Sequence, residues 1–264
     1  MKFKGVIDMK KIYDNDIELE MANYRSGELN LLDGIDCDVC KNKGLIYVRN
    51  EYTEIVVRDC PHCSNRRKIF KNIEKSGLKH QFDNYDMSKF LVRENYEKII
   101  KETAIKYIKH VVEDNGDGWF VIDGITGVGK SHICTAIVKE LINNNKKVMY
   151  ISFIDLVALQ KKYVSNFTET QESANIYFNE IKTIPILYID DYMKVDIPVA
   201  FLFELINYRY AKKLNTIIST EKTFEDLLNY DTAICGRIHE RTQNKIWWIT
   251  VKRDVNRNKR MVGV

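Results

Sequence analysis

The stretch WFVIDGITGVGKSHICT, residues 119–135, decides the fold. Its apolar run at 120–122 predicts a buried strand, and the amphipathic spacing after Ser131 predicts a helix. Between them lies the complete G-x-x-x-x-G-K-S pattern, Gly124 to Ser131. Glycines let successive backbone N–H groups turn inward toward phosphate oxygens, and the helix N-terminus adds partial positive charge. A glycine-rich turn without function is the alternative, but the flanking strand and helix favour a nucleotide-binding P-loop.

The residues of this loop have distinct predicted roles, with ATP and Mg²⁺ as the expected ligands. Lys130 is expected to act in catalysis by bridging the β- and γ-phosphates, and the hydroxyl of Ser131 is expected to ligate Mg²⁺. Other nucleotide contacts are predicted for the remaining positions of the loop and for the residue that follows it. These positions are Gly124, Thr126, Gly127, Val128, Gly129 and His132.

Strand and helix patterns alternate after the P-loop. Apolar, strand-forming runs occur at 147–152, 184–191, 215–220 and 246–251, and amphipathic helical stretches separate them. Such alternation predicts a parallel sheet flanked by helices. The sequence therefore predicts an α/β fold for the larger part of the chain.

Acidic and polar side chains end two of these strands. Because ligands of open α/β sheets bind at the carboxyl ends of the strands, we expect Asp190 to ligate Mg²⁺ and Asp191 to orient and deprotonate the attacking water. The alternative is that both acids cap the following helix. The next strand ends in Ser219, Thr220 and Glu221. Thr220 is the catalytic candidate, whereas Glu221 would bring negative charge near phosphate, and the choice among the three stays open.

Arg237 is a predicted catalytic residue of a different kind. It lies in GRIHER, residues 236–241, just after a helical start. From there it could reach the nucleotide of a neighbouring subunit as an arginine finger. A solvated helix arginine is the alternative. This prediction implies self-association through the ATPase domain.

Basic residues concentrate in two stretches, 41–80 and 237–264, although the net charge of the chain is only +4. Such stretches are compatible with a polyanion partner, and solvated lysine-rich faces are the alternative. Sites for single-stranded DNA typically combine cationic and aromatic side chains. The candidates for DNA contact are Arg257 and Arg260 in the basic tail and, after the second strand, Lys161, Lys162 and Tyr163.

Two cysteine pairs precede the P-loop. Cys37 and Cys40 form one C-x-x-C pair, and Cys60 and Cys63 form the second after the intervening residues 41–59. This separation is typical of a four-thiolate Zn²⁺ site with each pair on a tight turn. The residues between the pairs read as a β-hairpin, which predicts a zinc ribbon. A redox dithiol pair or an iron–sulfur cluster are the alternatives, and His62 is expected to be a bystander.

Length and composition are those of a soluble protein. With 264 residues, 45% hydrophobic and 30% charged, the chain can hold one large domain and a small one. No apolar run reaches membrane-spanning length, and the N-terminus does not resemble a secretory signal. We therefore expect a cytoplasmic protein with no membrane partner, in which cysteines are metal ligands or core residues.

The order of the motifs resembles the bacterial DnaC/DnaI type of replicative-helicase loader within the AAA+ ATPases. The resemblance covers about residues 37–264. The matching segments are CDVC and RDCPHC, the basic helix ending in SGL, the QFDNYD connector, GVGKSH, the strand ending IDD, LFELINYRY, the TIIST strand and GRI. Glu221 departs from the pattern, because relatives often carry asparagine or another short residue there. That departure bears on the rate of hydrolysis.

This resemblance implies a set of functions. It implies an N-terminal domain that binds the hexameric replicative helicase, and an AAA+ domain that binds single-stranded DNA and hydrolyses ATP when oligomeric. Gly236 and Arg237 match the arginine-finger box of the family. The expected domains are 1–65, a helicase-binding zinc ribbon; 66–92, a basic helix and connector; and 93–264, the AAA+ ATPase.

Chain length bears on the alternatives. The residues after Glu221 are too few for the separate helical lid of most AAA+ proteins. Loaders of this type resemble this lidless arrangement, and so do the IstB transposition helpers. An IstB-like ATPase that assists DNA transposition is therefore the second candidate. The zinc ribbon is the feature that favours a loader over this candidate. A binding module that holds nucleotide without turnover is the third.

Overall fold

A computed structural model describes residues 9–75, 84–165, 168–243 and 246–259. Arg260 and the residues 76–83, which include SGL and part of the QFDNYD connector, lie outside the described residues. The chain divides into two compact units, residues 1–70 and 71–264. This division falls inside the basic helix that the sequence predicted to begin at residue 66.

The first unit is built on an antiparallel hairpin. Its strands β1 and β2 pair Leu45 with Asp59 and Arg49 with Ile55. In the turn between them, the side-chain oxygen of Asn50 accepts hydrogen bonds from two backbone N–H groups of the loop. The elements are α1 (Met9–Tyr24), α2 (Leu29–Asp33), β1 (Leu45–Arg49) and β2 (Ile55–Asp59), followed by the start of α3 (Ser64–Lys75). The predicted hairpin between the cysteine pairs is confirmed.

The second unit contains a five-stranded sheet with the order β4-β5-β6-β3-β7, in which every pairing is parallel. The strands are β3 (Trp119–Asp123), β4 (Val148–Ser152), β5 (Ile186–Tyr192), β6 (Asn215–Thr220) and β7 (Trp248–Thr250). The helices are α4 (Asn95–Val112), α5 (Lys130–Asn143), α6 (Phe153–Tyr163), α7 (Thr168–Thr183), α8 (Val199–Ala211), α9 (Phe224–Tyr230) and α10 (Thr232–Arg241). The predicted α/β fold is confirmed.

Burial explains why these strands read as continuous apolar runs. Helices α5 and α6 pack against the sheet, and all five residues of β3 are buried, as is typical of a strand in a covered parallel sheet. Aromatic side chains from three helices fill one side, where Phe178 stacks on Phe201 with ring centroids 4.3 Å apart and Tyr163 packs against both. After β7, the described residues form a 3₁₀ turn (Val255–Arg257) and no helical lid.

Strand register brings the carboxyl ends of three strands together. Asp123 at the end of β3 pairs with Thr220 at the end of β6. On the other side of β6, β5 carries Asp190 and Asp191 at the same edge of the sheet. In the described part of the chain, no helix is both long and apolar enough to cross a membrane.

Candidate nucleotide-binding site and cysteine cluster

The loop between β3 and α5 has the backbone of a phosphate cradle. Gly127 and Gly129 have φ angles of 83° and 93°, in the left-handed region that glycine adopts without strain. Both also lack room for a side chain, because a Cβ on Gly129 would lie 3.2 Å from Phe90 and one on Gly127 would overlap Asn258. Gly129 is the N-cap of α5, so the helix N-terminus points into the loop.

Lys130 lies under this loop. Its Nζ donates hydrogen bonds to the carbonyl oxygens of Gly124 at 2.8 Å and Ile125 at 2.9 Å. Burial lowers the pKa of the amine, and the nearby charge of Glu221 opposes that shift. The Lys130 amine is therefore held at the loop by the loop's own backbone.

Asp190 is fixed by hydroxyl groups. Tyr188 donates to its Oδ1 at 2.7 Å, Ser219 donates to the same oxygen, and Ser131 Oγ lies 3.1 Å from it. Two ligands on adjacent corners of an octahedral Mg²⁺ site are about 2.9 Å apart. The Ser131 and Asp190 oxygens therefore fit the magnesium role predicted for them.

Asp191 owes its direction to a β-bulge. The register of β5 against β6 shifts between Ile189 and Tyr192, and Asp191 takes a left-handed φ of 52° there. Its backbone N–H donates to Ser219 Oγ at 3.0 Å. Burial, and then the adjacent charge of Asp190, raise the pKa of the Asp191 carboxyl. A carboxyl with a raised pKa is a better proton acceptor, which suits the predicted base.

The three residues that end β6 differ in what they contact. Thr220 is fully buried, and its hydroxyl donates to the backbone oxygen of Tyr192 at 2.7 Å. Ser219 supports Asp190 and Asp191, as described above. Glu221 follows β6 and its side chain contacts the P-loop, where its carboxylate accepts a hydrogen bond from Thr126. The catalytic role predicted for Thr220 stays a prediction, while Ser219 and Glu221 make the side-chain contacts with the site.

An aromatic cluster, consisting of Tyr85, Phe90 and His132, borders the start of α5. The His132 ring stacks on Tyr85 at 4.5 Å and meets the edge of Phe90 at 5.3 Å. Its Nε2 lies 3.1 Å from the backbone oxygen of Asp86, and burial lowers the pKa of the ring. The connector was predicted from the sequence as a matching segment within the linker 66–92, with no role at the nucleotide site. The aromatic residues of the connector were the signal that could have placed this segment beside the P-loop.

The basic tail lies along the second unit. Lys259 contacts Glu97 through its side chain, and its backbone N–H donates to Gly127 at 3.3 Å. Arg257 sits 4.4 Å above the ring of Tyr96. Arg253 donates to the backbone oxygen of Glu221 at 2.6 Å. These cations already have partners within the domain, so DNA contact by the tail stays a prediction.

The other predicted residues lie elsewhere in the second unit. Arg237 donates to Asn207 at 3.0 Å and to the Ala233 carbonyl at 2.9 Å, with its guanidinium 4.7 Å from the ring of Phe203. Arg237 itself belongs to α10, and its contacts with Asn207 and Phe203 join it to α8. Lys161 and Lys162 are exposed at the end of α6. Tyr163, by contrast, packs on aromatic core residues, as described above.

The four cysteines form one buried cluster. Their Sγ atoms all lie within 4.8 Å of one another, with Cys37 3.8 Å from Cys60 and Cys40 3.5 Å from Cys63. Tetrahedral Zn²⁺ with bonds of about 2.3 Å holds its sulfur ligands about 3.8 Å apart. The donor set and its spacing therefore fit Zn²⁺.

Groups around the cluster support the sulfur atoms. Gly44 N–H donates to Cys40 Sγ at 3.3 Å, and Arg67 Nε donates to Cys63 Sγ at 3.4 Å. Arg67 is itself held by Asp33. Such donors stabilise thiolate charge at a metal site. The predicted bystander His62 lies closer than expected, with Nδ1 3.5 Å from Cys37 Sγ.

The fold and this site define a class of protein. A parallel α/β sheet with a P-loop after one strand and paired acids at the end of another is the arrangement of a P-loop ATP-binding protein. The family profile "IstB-like ATP binding protein" matches residues 47–262. The chain belongs to that family. Membership supports nucleotide use at this loop.

Similar proteins agree with this assignment. The chain is 26% identical to the phage-like element PBSX protein XkdC of Bacillus subtilis, over 78% of this chain and 79% of that protein. It is 23% identical to the replicative helicase loader DnaC of Escherichia coli K12, over 69% and 73%. It is 25% identical to B. subtilis YqaM over 75% of this chain, and spans only 64% of that protein.

Solved structures share the fold. A DnaI crystal structure aligns with a TM-score of 0.53 at 18% identity, covering 66% of this chain and 94% of that one. AMPPCP-bound DnaA from Aquifex aeolicus aligns with the same TM-score at 17% identity, over 67% and 52%. The predicted resemblance to a DnaC/DnaI-type AAA+ protein is confirmed.

Proposed function

We propose that this chain is an ATPase that loads the replicative DNA helicase onto single-stranded DNA when replication starts or restarts. The observation that carries the proposal is the presence in one chain of two elements. One is the P-loop with Asp190 and Asp191 facing it, and the other is the cysteine-bearing hairpin. The similarity to helicase loaders supports a replication-related role for a chain that carries both elements.

Residues of the P-loop have the first role in the proposed cycle. Its backbone N–H groups and Lys130 bind the phosphates of ATP, while Ser131 and Asp190 hold Mg²⁺. The metal, when bound, neutralises charge that develops on the phosphoryl oxygens. Hydroxyl groups of Tyr188, Ser131 and Ser219 already orient the Asp190 carboxylate at the loop.

In this proposal, Asp191 and Arg237 act in the hydrolysis of ATP. Asp191 accepts the proton of the attacking water, for which its raised pKa is suited. Arg237 serves the nucleotide of a second copy in this proposal. Its contacts in its own chain are with α8 and α10, away from the P-loop, which is consistent with a role in another subunit. ATP-dependent self-association through the second unit would then control release of the helicase.

The first unit binds the hexameric helicase in this proposal, and Zn²⁺ on the four cysteines stabilises it. Apolar side chains are exposed on its short helix α2, where Leu31 and Leu32 are 77% and 74% exposed. Exposed leucines side by side are unusual unless a partner covers them. They give this unit an apolar surface that a protein partner can bury.

A pull-down against the host replicative helicase tests this proposal. The full chain with ATP is expected to retain the helicase, and a chain lacking residues 1–70 is expected to lose it. Nucleotide binding by the shortened chain is the folding control. Retention of the helicase by the shortened chain would exclude the first unit as the docking site.

An IstB-like transposition helper is the second candidate, and the family match favours it. It predicts binding to duplex DNA and no retention of the helicase by either form. A binding module that holds nucleotide without turnover is the third candidate. The contact of the Glu221 carboxylate with Thr126 of the P-loop favours it. The ATPase rate with and without DNA separates it from the other two.

A further inference from the structure

Glu221 makes three contacts that the proposed cycle leaves unused. Its Oε1 accepts a hydrogen bond from the hydroxyl of Thr126 and lies 3.9 Å from Lys130 Nζ. Its Oε2 lies 3.0 Å from Lys194 Nζ. Two of these partners belong to the P-loop, so a carboxylate is bound to the groups that are expected to receive phosphate.

The Glu221 side chain is ionised at neutral pH. Burial works to raise the pKa of its carboxyl, but the hydrogen bonds from Thr126 and Lys194 and the charge of Lys130 outweigh it. The pKa therefore lies below its ordinary value. A negative charge consequently stands beside the Lys130 ammonium.

This placement creates a competition. The lysine of a P-loop contacts the β- and γ-phosphates of the nucleotide. A phosphate oxygen and the Glu221 carboxylate would repel each other at one ammonium ion. We propose that Glu221 is a specificity-determining residue that competes with the terminal phosphate for Lys130 and Thr126. This inference rests on the proposed nucleotide site.

The surroundings of Glu221 allow its side chain to leave Lys130. A cavity of about 620 Å³ adjoins the loop, and its lining includes Thr126, Glu221 and three cationic side chains, Lys194, Lys222 and Arg253. Arg253 holds the backbone oxygen of Glu221 at 2.6 Å. The backbone thus stays in place while the carboxylate turns away from Lys130 and keeps its contact with Lys194. The free energy of ATP binding therefore includes the cost of this turn, because the terminal phosphate competes with Glu221 for Lys130. ADP has no third phosphate and incurs less of that cost.

Substitution Glu221→Gln isolates the charge. The amide oxygen of glutamine still accepts the hydrogen bond from Thr126, but the negative charge beside Lys130 is gone. Glu225→Gln is the matched control, because it makes the same change on the exposed start of α9. Glu221→Ala serves as a second variant with the same loss of charge.

The experiment measures the dissociation constants of fluorescent ATP and ADP analogues with Mg²⁺ for the full chain. Glu221→Gln and Glu221→Ala are expected to tighten ATP binding about tenfold and ADP binding much less, because removing one charge at this distance has an effect of that order. Glu225→Gln is expected to change neither. Melting temperature verifies the fold of each variant.

Two outcomes would overturn the inference, and they are distinguishable. An unchanged ratio of ATP to ADP affinity in both Glu221 variants would show that Glu221 does not discriminate between the two nucleotides. If the wild type still bound nucleotide, the proposed nucleotide site would stand although the inference failed. If the wild type bound neither nucleotide, the proposed function would fail together with the inference.

Discussion

At the residue scale, the chemistry depends on how two neighbouring acids are separated. Asp190 and Asp191 are adjacent in sequence, yet only Asp190 receives the hydroxyl groups of Tyr188, Ser131 and Ser219. The bulge in β5 turns Asp191 out of the strand pattern. One acid is consequently suited to a metal ion and the other to a proton.

Asp191→Asn tests this division of roles. Asparagine tolerates the left-handed φ of 52° at this position, so the fold is expected to persist. Loss of the base is expected to lower the ATPase rate about hundredfold or more while ATP binding is retained. Asp196→Asn, on the exposed segment after β5, is the control. A variant rate close to wild type would exclude Asp191 as the base.

The pH dependence of hydrolysis follows from the same residue. A general base acts in its ionised form, so activity is present above the pKa of Asp191 and is lost as the pH falls through it. Burial and the charge of Asp190 raise that pKa above its ordinary value. Because Mg²⁺ on Asp190 would offset the second of these causes, burial of Asp191 is expected to set the acidic limb of the rate profile, and the limb is expected to disappear in Asp191→Asn.

At the scale of elements, the hairpin of the first unit depends on its cysteines. The two strands are five residues each, and every one of their residues is exposed or only partly buried. So small an apolar interior supplies little folding free energy, and a bound metal ion supplies more. The cysteine cluster is the buried centre of this unit.

Metal removal provides the corresponding test. The purified chain is expected to contain about one Zn²⁺, and Cys60→Ser is expected to lose it and to expose residues 1–70 to protease. Nucleotide binding by the second unit should persist. Cys235→Ala, a buried cysteine of α10, is the control that keeps its zinc. Full zinc content in Cys60→Ser would contradict the four-thiolate site.

Helix α8 depends on a residue whose role the sequence did not show. Arg209 is fully buried, and it donates to the carbonyl oxygens of Ile181, Lys182 and Ile184 at the end of α7. It also bonds Thr216 in β6 at 3.0 Å. Burial lowers the pKa of this guanidinium to about 9. One arginine thus joins two helices to the sheet.

At the scale of the whole molecule, the positions of the cationic side chains bear on the predicted contact with single-stranded DNA. The tail cations Arg253, Arg257 and Lys259 have intramolecular partners. Lys161 and Lys162 are exposed and project from the end of α6. We therefore expect this pair to contribute more to single-stranded DNA binding than the tail does.

Salt dependence measures that contribution. Each lysine contact with a single-strand phosphate adds about 0.7 to the slope of log affinity against log salt. Changing both Lys161 and Lys162 to alanine is expected to reduce the slope by about 1.4, as measured by fluorescence anisotropy. The same change at Lys106 and Lys109, which are exposed on α4, is the control. Equal slopes in all three proteins would exclude the α6 pair.

Much of the fold followed from the sequence because its signals are local. The P-loop pattern, the apolar strands and the cysteine spacing each occupy a short segment, whose conformation depends mainly on its own residues. The zinc-compatible cluster, the parallel sheet and the meeting of Ser131 with Asp190 were predictable from such segments and from the rule that ligands bind at strand ends.

Other features required the tertiary structure, because they join residues far apart in the chain. Glu221 reaches Thr126 across 95 residues, and Lys259 reaches Glu97 across 162. The burial of Arg209 likewise depends on how helices pack on the sheet. The sequence by itself determined which chemical groups the chain carries and at which strand ends they lie. Only the packing of distant segments decided which charge stands beside Lys130, because the energy of such a contact depends on spatial separation and burial.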